Sequence, residues 1–189
     1  METPWDQLHT EIQACARCAL AQGIRNKVPG QGNRKARLML IGEGPGAEED
    51  ASGLAFVGKA GQLLTKMLAA IDLNREDVFI ANVVKCRPPQ NRAPLPVEMA
   101  NCLPFLREQT RLIRPQVILV LGASALQVVL GPDKRITRCR GQWTESKGVF
   151  IMPTFHPAAL LRDPAKKRDT WADLQAVRDK LAALSKSNA

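Results

Sequence analysis

The residues whose types and spacing suggest chemistry fall in three short segments and four cysteines. The first segment is Gly42-Glu43-Gly44-Pro45-Gly46-Ala47-Glu48-Glu49-Asp50, which runs on toward Phe56-Val57-Gly58-Lys59-Ala60-Gly61. The second is Asn82-Val83-Val84-Lys85-Cys86-Arg87-Pro88-Pro89, and the third is His156-Pro157-Ala158-Ala159-Leu160-Leu161-Arg162. Cys15 and Cys18 form a C-x-x-C pair, and 15 residues separate Cys86 from Cys102. Four thiolates suit zinc or an iron–sulfur cluster. Structural zinc commonly uses two short pairs. Here the second pair is widely split, so the spacing favours a cluster and leaves zinc open. The plain alternative is that the cysteines serve as small buried apolar residues. A thioredoxin-like C-x-x-C should follow a strand and open a helix, which this one does not. Cys139 has no near partner and is read as a non-ligand.

These segments need elements to position them. Arg37–Ile41, Val78–Val84, Val117–Leu121 and Val149–Phe155 are short apolar runs that read as strands. Leu63, Leu64, Met67, Leu68 and Ile71 fall at helical spacing, so a helix is expected over Gly61–Ile71. Further helices are expected over Trp5–Ala14, Pro96–Arg111 (with Pro96 in the first turn), from Gly122 through Leu130, and over Lys167–Leu184. Gly53–Gly61 and Arg87–Pro96 read as loops, and Ser185–Ala189 as a frayed tail. Strands alternating with helices predict a parallel sheet covered on both faces. Ligands of such sheets bind outside the carboxyl ends of the strands. The three segments lie at or just past strand ends, so they should converge.

Bulk properties narrow the partners. The chain has 189 residues, of which 45 % are apolar, enough for one domain with a substantial core. No apolar run approaches the roughly 20 residues that span a bilayer. The start Met-Glu-Thr-Pro-Trp-Asp has neither the basic nor the apolar region of a secretory signal. Five cysteines, an odd number, argue against a disulfide framework. Lys and Arg total 27 against 18 Asp and Glu, a net charge of +9 that points to a polyanion, nucleic acid first. Arg34, Lys35 and Arg37, then Lys134, Arg135, Arg138 and Arg140, then Lys166, Lys167 and Arg168 read as basic rims on a folded surface.

Taken in order, the three motifs and the cysteine spacing resemble the family 4 uracil-DNA glycosylases of bacteria and archaea. The resemblance covers nearly the whole chain, from about Cys15 to Trp171. It implies a three-layer α/β/α sandwich around a four-stranded parallel sheet, formed as a single domain over residues 1–189 with an N-terminal cysteine-loop segment. It implies a [4Fe–4S] cluster on Cys15, Cys18, Cys86 and Cys102. It places the uracil pocket on Glu43, Gly44, Phe56, Asn82 and His156. The expected partner is uracil-containing DNA, single- or double-stranded, and the expected setting is the cytoplasm, as a soluble monomer with no membrane contact.

The residue types suit that task. A glycosylase must take the base out of the stack, and Phe56 offers a flat partner for it. Uracil presents an acceptor at O4 and a donor at N3, the reverse of cytosine, so the Asn82 carboxamide can tell them apart. Charge gathers on O2 of the departing uracil, where a neutral His156 can donate a hydrogen bond. His9 is assigned nothing. A carboxylate can orient the attacking water. The better-known glycosylase family places an Asp between Gly-Gln and Pro, where this chain has Gly44 preceded by Glu43. Glu43 is therefore the first candidate and Glu49 the second, although Glu48, Glu49 and Asp50 would also suit a helix N-terminus. The tyrosine that excludes thymine in the better-known family is matched here by Gly46, so Glu49 or its loop must take over that exclusion. Leu160 and Leu161 are candidate wedges for the vacated base position, and Arg162 a candidate phosphate contact.

A non-catalytic nucleic-acid binder would also fit the charge; His156→Ala separates it from an enzyme, since hydrolysis should collapse while DNA binding largely persists. Three other classes are disfavoured. A protein that captures uracil covalently would need a histidine between Asn82 and Cys102, and there is none. An iron–sulfur electron carrier has no use for Asn82 and His156 at strand ends. A nucleotide-binding loop would need the full glycine fingerprint, and Pro45 removes an amide from it.

Overall fold

In the computed structural model, which describes residues 3–186, the four apolar runs become adjacent strands. In chain order the strands are β1 (Gln31–Gly32), β2 (Leu38–Gly42), β3 (Phe79–Asn82), β4 (Val117–Leu121), β5 (Thr144–Ser146) and β6 (Val149–Thr154). Every residue of β2, β3 and β4 is buried, as strands covered on both faces require. The sheet order is β1-β3-β2-β4-β6-β5. The four central strands are parallel, while β1 and β5 pair antiparallel at the edges.

The expected four-stranded parallel sheet is therefore the centre of a mixed six-stranded one. The two extra strands carry no apolar pattern from which they could have been read. β1 is two residues long, and β5 is Thr-Glu-Ser, fully exposed. β5 is held by its turn. Lys147 and Gly148 both have positive φ, which matches a two-residue hairpin loop into β6.

Successive residues of a strand point to opposite faces. Leu38 and Leu40 of β2 join one core cluster, and Met39 and Ile41 the other. The first cluster is covered by α3 (Lys59–Ala69) through Leu64 and Leu68, and by α8 (Lys167–Lys186) through Leu174 and Val177. The second is covered by α4 (Pro96–Ile113) through Leu106 and Ile113, and by α5 (Ala123–Leu130) through Leu126. Outside α4 lies α1 (Pro4–Ala14), whose Leu8 and Ile12 meet Phe105. Two short helices were not foreseen, α6 (Ile136–Cys139) and α7 (Pro157–Arg162), and α2 (Ala47–Ser52) was foreseen only as a helix start at Glu48–Asp50. None is long enough to show a helical apolar period. Ser185 and Lys186 continue α8 instead of fraying, and the rest of the expected tail lies outside the described residues. Among the described residues no helix is long and apolar enough to cross a membrane.

Register aligns the strand ends. Gly42 pairs with Asn82, and Leu121 with Thr154, so the three functional segments leave the sheet side by side. One glycine then fixes how the Phe56 loop packs on α3. A Cβ at Gly61 would lie 1.8 Å from the Phe56 carbonyl oxygen, an overlap with rigid backbone. Gly61→Ala is expected to destabilise the fold by about 3 kcal/mol, seen as a lower urea midpoint at unchanged slope. A midpoint equal to that of the parent chain would mean that the loop packs differently.

Candidate active site

Outside the carboxyl ends of the parallel strands lies a cavity of about 600 Å³. Glu43, Gly44, Phe56, Asn82 and His156 all line it, and so do Glu49 and Arg162. Residues predicted from distant parts of the sequence are thus brought to one place. Leu160 and Leu161 part company. In α7 the i, i+3 spacing turns Pro157 and Leu160 inward, and Leu160, 2 % exposed, belongs to the core. Of the two candidate wedge leucines, Leu160 is thus held in the core, whereas Leu161, 48 % exposed, points outward.

Asn82 is the last residue of β3 and is buried. Its carboxamide oxygen is buried without a hydrogen-bond partner among the described residues. An orphaned acceptor of this kind costs roughly 1–3 kcal/mol, which a donor on a ligand would offset. Gly42 makes the room: a Cβ there would stand 2.5 Å from both the Asn82 Oδ1 and the Phe56 Cζ.

Phe56 has φ of +54°, a left-handed conformation that is costly for a bulky side chain. Neighbouring polar groups hold it there. Arg75 donates from Nη2 to the Ala55 carbonyl at 2.6 Å and from Nη1 to the Phe56 carbonyl at 3.0 Å. Glu49 accepts from the Val57 and Gly58 amides at 2.8 and 2.9 Å through one oxygen, and from the Gly46 amide at 3.0 Å through the other. Both Glu49 oxygens are thus engaged in tying the Gly44–Gly46 turn to the Phe56 loop. The Phe56 and His156 rings lie 5.5 Å apart, inclined by 31°.

His156 caps α7. Its Nδ1 accepts the Ala158 amide at 3.1 Å, so Nδ1 is unprotonated and the proton of the neutral ring sits on Nε2. Burial pushes the imidazole down to about 4, helped by the positive charge of Arg162 and opposed by Glu49. The strand that delivers His156 is braced from behind. The Thr154 hydroxyl donates to the buried Asp173 at 2.6 Å, and Arg140 pairs with the same carboxylate. Burial pushes the Asp173 carboxyl up, against the pull of Arg140 and Thr154. Arg140, counted above among the rim cations, is therefore an internal partner. Glu43 accepts a hydrogen bond of 2.5 Å from Ser124, at the start of α5. Arg75, Ser124 and Asp173 gave no sequence signal, because each acts on a segment remote in the chain.

A second cavity is lined by Cys15, Cys18, Cys86 and Cys102 together. Cys15 caps α1, Cys18 precedes a 3-10 turn at Ala19–Ala21, Cys86 follows β3, and Cys102 sits in α4. Cys139 is not among the lining residues. Burial pushes the Cys86 thiol up to about 12, with Cys102 and then Cys18 adding to the shift. The Cys102 thiol is also raised by burial. Among the described residues no three His, Cys, Asp or Glu side chains converge tightly enough for a single metal ion. Four thiols around one cavity are a donor set that fits zinc or an iron–sulfur cluster. Lys85 also lines this cavity. A lysine at the end of the apolar run Val83-Val84 was its only sequence signal.

Comparison with known proteins bears on the family. A family model described as the uracil DNA glycosylase superfamily matches residues 29–175. The chain is 42 % identical over 180 residues to the type-4 uracil-DNA glycosylase of Archaeoglobus fulgidus, covering 91 % of this chain and 90 % of that one. It is 48 % identical over 156 residues to the type-4 enzyme of Thermotoga maritima, covering 80 % of each. It is 42 % identical to that of Pyrobaculum aerophilum, over 89 % of this chain and 90 % of the relative.

The state of His156 can be read directly. Its pKa in the fold is lower than in the unfolded chain, so its contribution to stability is complete above about 6.5. That contribution is lost as pH falls from there through about 4. Nitrogen NMR is expected to find the Nε2-protonated neutral ring down to about pH 4. A ring that titrates near pH 6.5 would contradict the buried, amide-capped geometry.

Proposed function

The chain belongs to the uracil-DNA glycosylase superfamily, and from that premise we propose how its residues remove uracil from DNA. It is a hydrolase acting on N-glycosyl bonds, in the service of DNA repair. The observation that carries the residue assignment is the orphaned Asn82 oxygen, which shares one cavity with Phe56 and a neutral His156.

The flipped base lies on the Phe56 ring. The Asn82 Oδ1 accepts from N3–H and its Nδ2 donates to O4. Cytosine would set acceptor against acceptor and donor against donor, leaving buried groups unpaired. The C1′–N1 bond then breaks, and its electron pair passes into the uracil ring. His156 donates from Nε2–H to O2, where that charge gathers, and the ring has no need to be cationic. Glu43, oriented by Ser124, holds the water that adds to C1′ and balances the positive charge of the sugar. The oxygen of water ends on C1′ and its proton leaves to solvent or uracil, which yields an abasic site. Gly44 lets the backbone approach the base. Glu49 acts by fixing the two loops, and it narrows the pocket beside Gly46, whose Cβ would meet its Oε2 at 2.8 Å. Leu161 fills the vacated stack and Arg162 meets phosphate.

Cys15, Cys18, Cys86 and Cys102 hold a [4Fe–4S] cluster, whose chemistry here is cross-linking: it ties the N-terminal segment to the loop after β3 and to α4. To hold it, the four thiols would give up their protons to iron, against the burial that raises Cys86 and Cys102. Residues 1–189 act as one domain, as a monomer, in the cytoplasm.

The test is an oligonucleotide with one uracil, cleaved at abasic sites by alkali, with thymine and cytosine controls. Multiple-turnover cleavage at uracil alone is expected. His156→Ala and Asn82→Ala should each lower kcat about 10²- to 10³-fold, and Glu43→Gln about 10²-fold, with binding to abasic DNA largely kept. Full activity in Asn82→Ala would remove Asn82 from base recognition.

A further inference from the structure

Lys85 is the largest of the fully buried side chains, at 2 % exposure. Its Nζ donates to the Asn82 carbonyl at 2.8 Å and to the Gln109 Oε1 at 2.7 Å. Both acceptors are neutral, and among the described residues no carboxylate pairs with it. A buried ammonium without an anion costs several kcal/mol. Its surroundings name the missing partner. Lys85 lines the cysteine cavity, precedes Cys86, and donates its own amide to the Cys102 Sγ at 3.3 Å. A cluster on four thiolates carries net negative charge. The loop is fixed on its other sides too: the Val28 amide donates to the Lys85 carbonyl at 2.8 Å, and the Gln109 Nε2 donates to the Pro29 carbonyl at 2.7 Å.

We propose that Lys85 is the buried counter-charge of the cluster and, through its bond to the Asn82 carbonyl, a positioning residue for the side chain that recognises uracil. The cluster and the uracil pocket are then mechanically and electrostatically joined across one four-residue step, Asn82 to Lys85. The inference rests on the cluster reading above. It uses the cluster as a fixed charge and requires no electron transfer.

The test compares the parent protein with Lys85→Met, both purified without oxygen. Three quantities are read: iron per chain, the midpoint potential of the cluster, and kcat and KM on the uracil oligonucleotide. Lys85→Met is expected to keep its iron. Its potential should move to more negative values, because a positive charge that favours the added electron is gone. Its kcat should fall about tenfold, as for the loss of a charge-assisted hydrogen bond, while KM stays within about twofold. Lys85→Gln, which retains a donor toward the Asn82 carbonyl, should shift the potential alike and recover part of kcat. A purely structural role would leave the potential of the folded, iron-loaded variants unmoved. If Lys85→Met does not fold, Gln109→Met takes its place. It removes one Nζ acceptor but keeps the charge, so kcat should fall with the potential held. Loaded Lys85→Met with the parent potential and kcat overturns this proposal alone. A parent protein without iron or cluster absorbance overturns the cluster reading, and this proposal with it.

Discussion

The last rung of the β2–β3 ladder, where Gly42 faces Asn82, is the contact on which the cavity depends. A parallel sheet buried on both faces has no room for chemistry along its strands. Polar side chains can be useful only where the ladder ends. Here it ends with a glycine on one strand and a carboxamide on the next, and the missing Cβ leaves space for Asn82 and Phe56 together. The Val83 amide then donates to the Gly42 carbonyl at 2.9 Å, and the Val84 amide to the Glu43 carbonyl at 3.2 Å. Pairing thus continues past the regular strands, and it aims Glu43 and Asn82 into one space.

Burial then sorts the charges. Carboxylates near the site are held by specific donors: Glu49 by three amides, Asp173 by Arg140 and Thr154, Glu98 by Arg92 and the Leu95 amide. His156 is kept neutral, which suits a donor that must not add a full charge to a buried pocket. Of the 27 Lys and Arg, Arg92 and Arg140 are taken up by such pairs, each against an acid, so the net +9 itself is unchanged. The basic rims left for a polyanion are therefore smaller than the sequence count suggests.

The four central strands were legible because strands covered on both faces must read as unbroken apolar runs. β1 and β5 were not, since one is too short and the other too polar to carry a pattern, and both owe their existence to a neighbour. The pocket residues were legible as motif members at strand ends. What could not be read was the support behind them. Arg75 acts on backbone carbonyls about twenty residues away, and Ser124 meets Glu43 only across the β2–β4 pair. A single sequence records no such pairing. Leu160 and Leu161 show the same limit on a smaller scale. Adjacent leucines read alike until the helix turns one inward.

Packing also bears on why this chain carries an acid at position 43 and a glycine at 44. A Cβ on Gly44 would meet the Val84 Cγ2 at 2.7 Å, with the Pro88 ring just beyond. Val84 and Pro88 flank Cys86 in the loop after β3. A side chain at 44 would require Val84 to shift. The nearest residue free to carry an acid is Glu43, and Ser124 waits there to orient it. The same loop holds Lys85 against the Asn82 carbonyl. The loop around Cys86 thus bears on the pocket through shape: it packs against Gly44 and holds the Asn82 carbonyl.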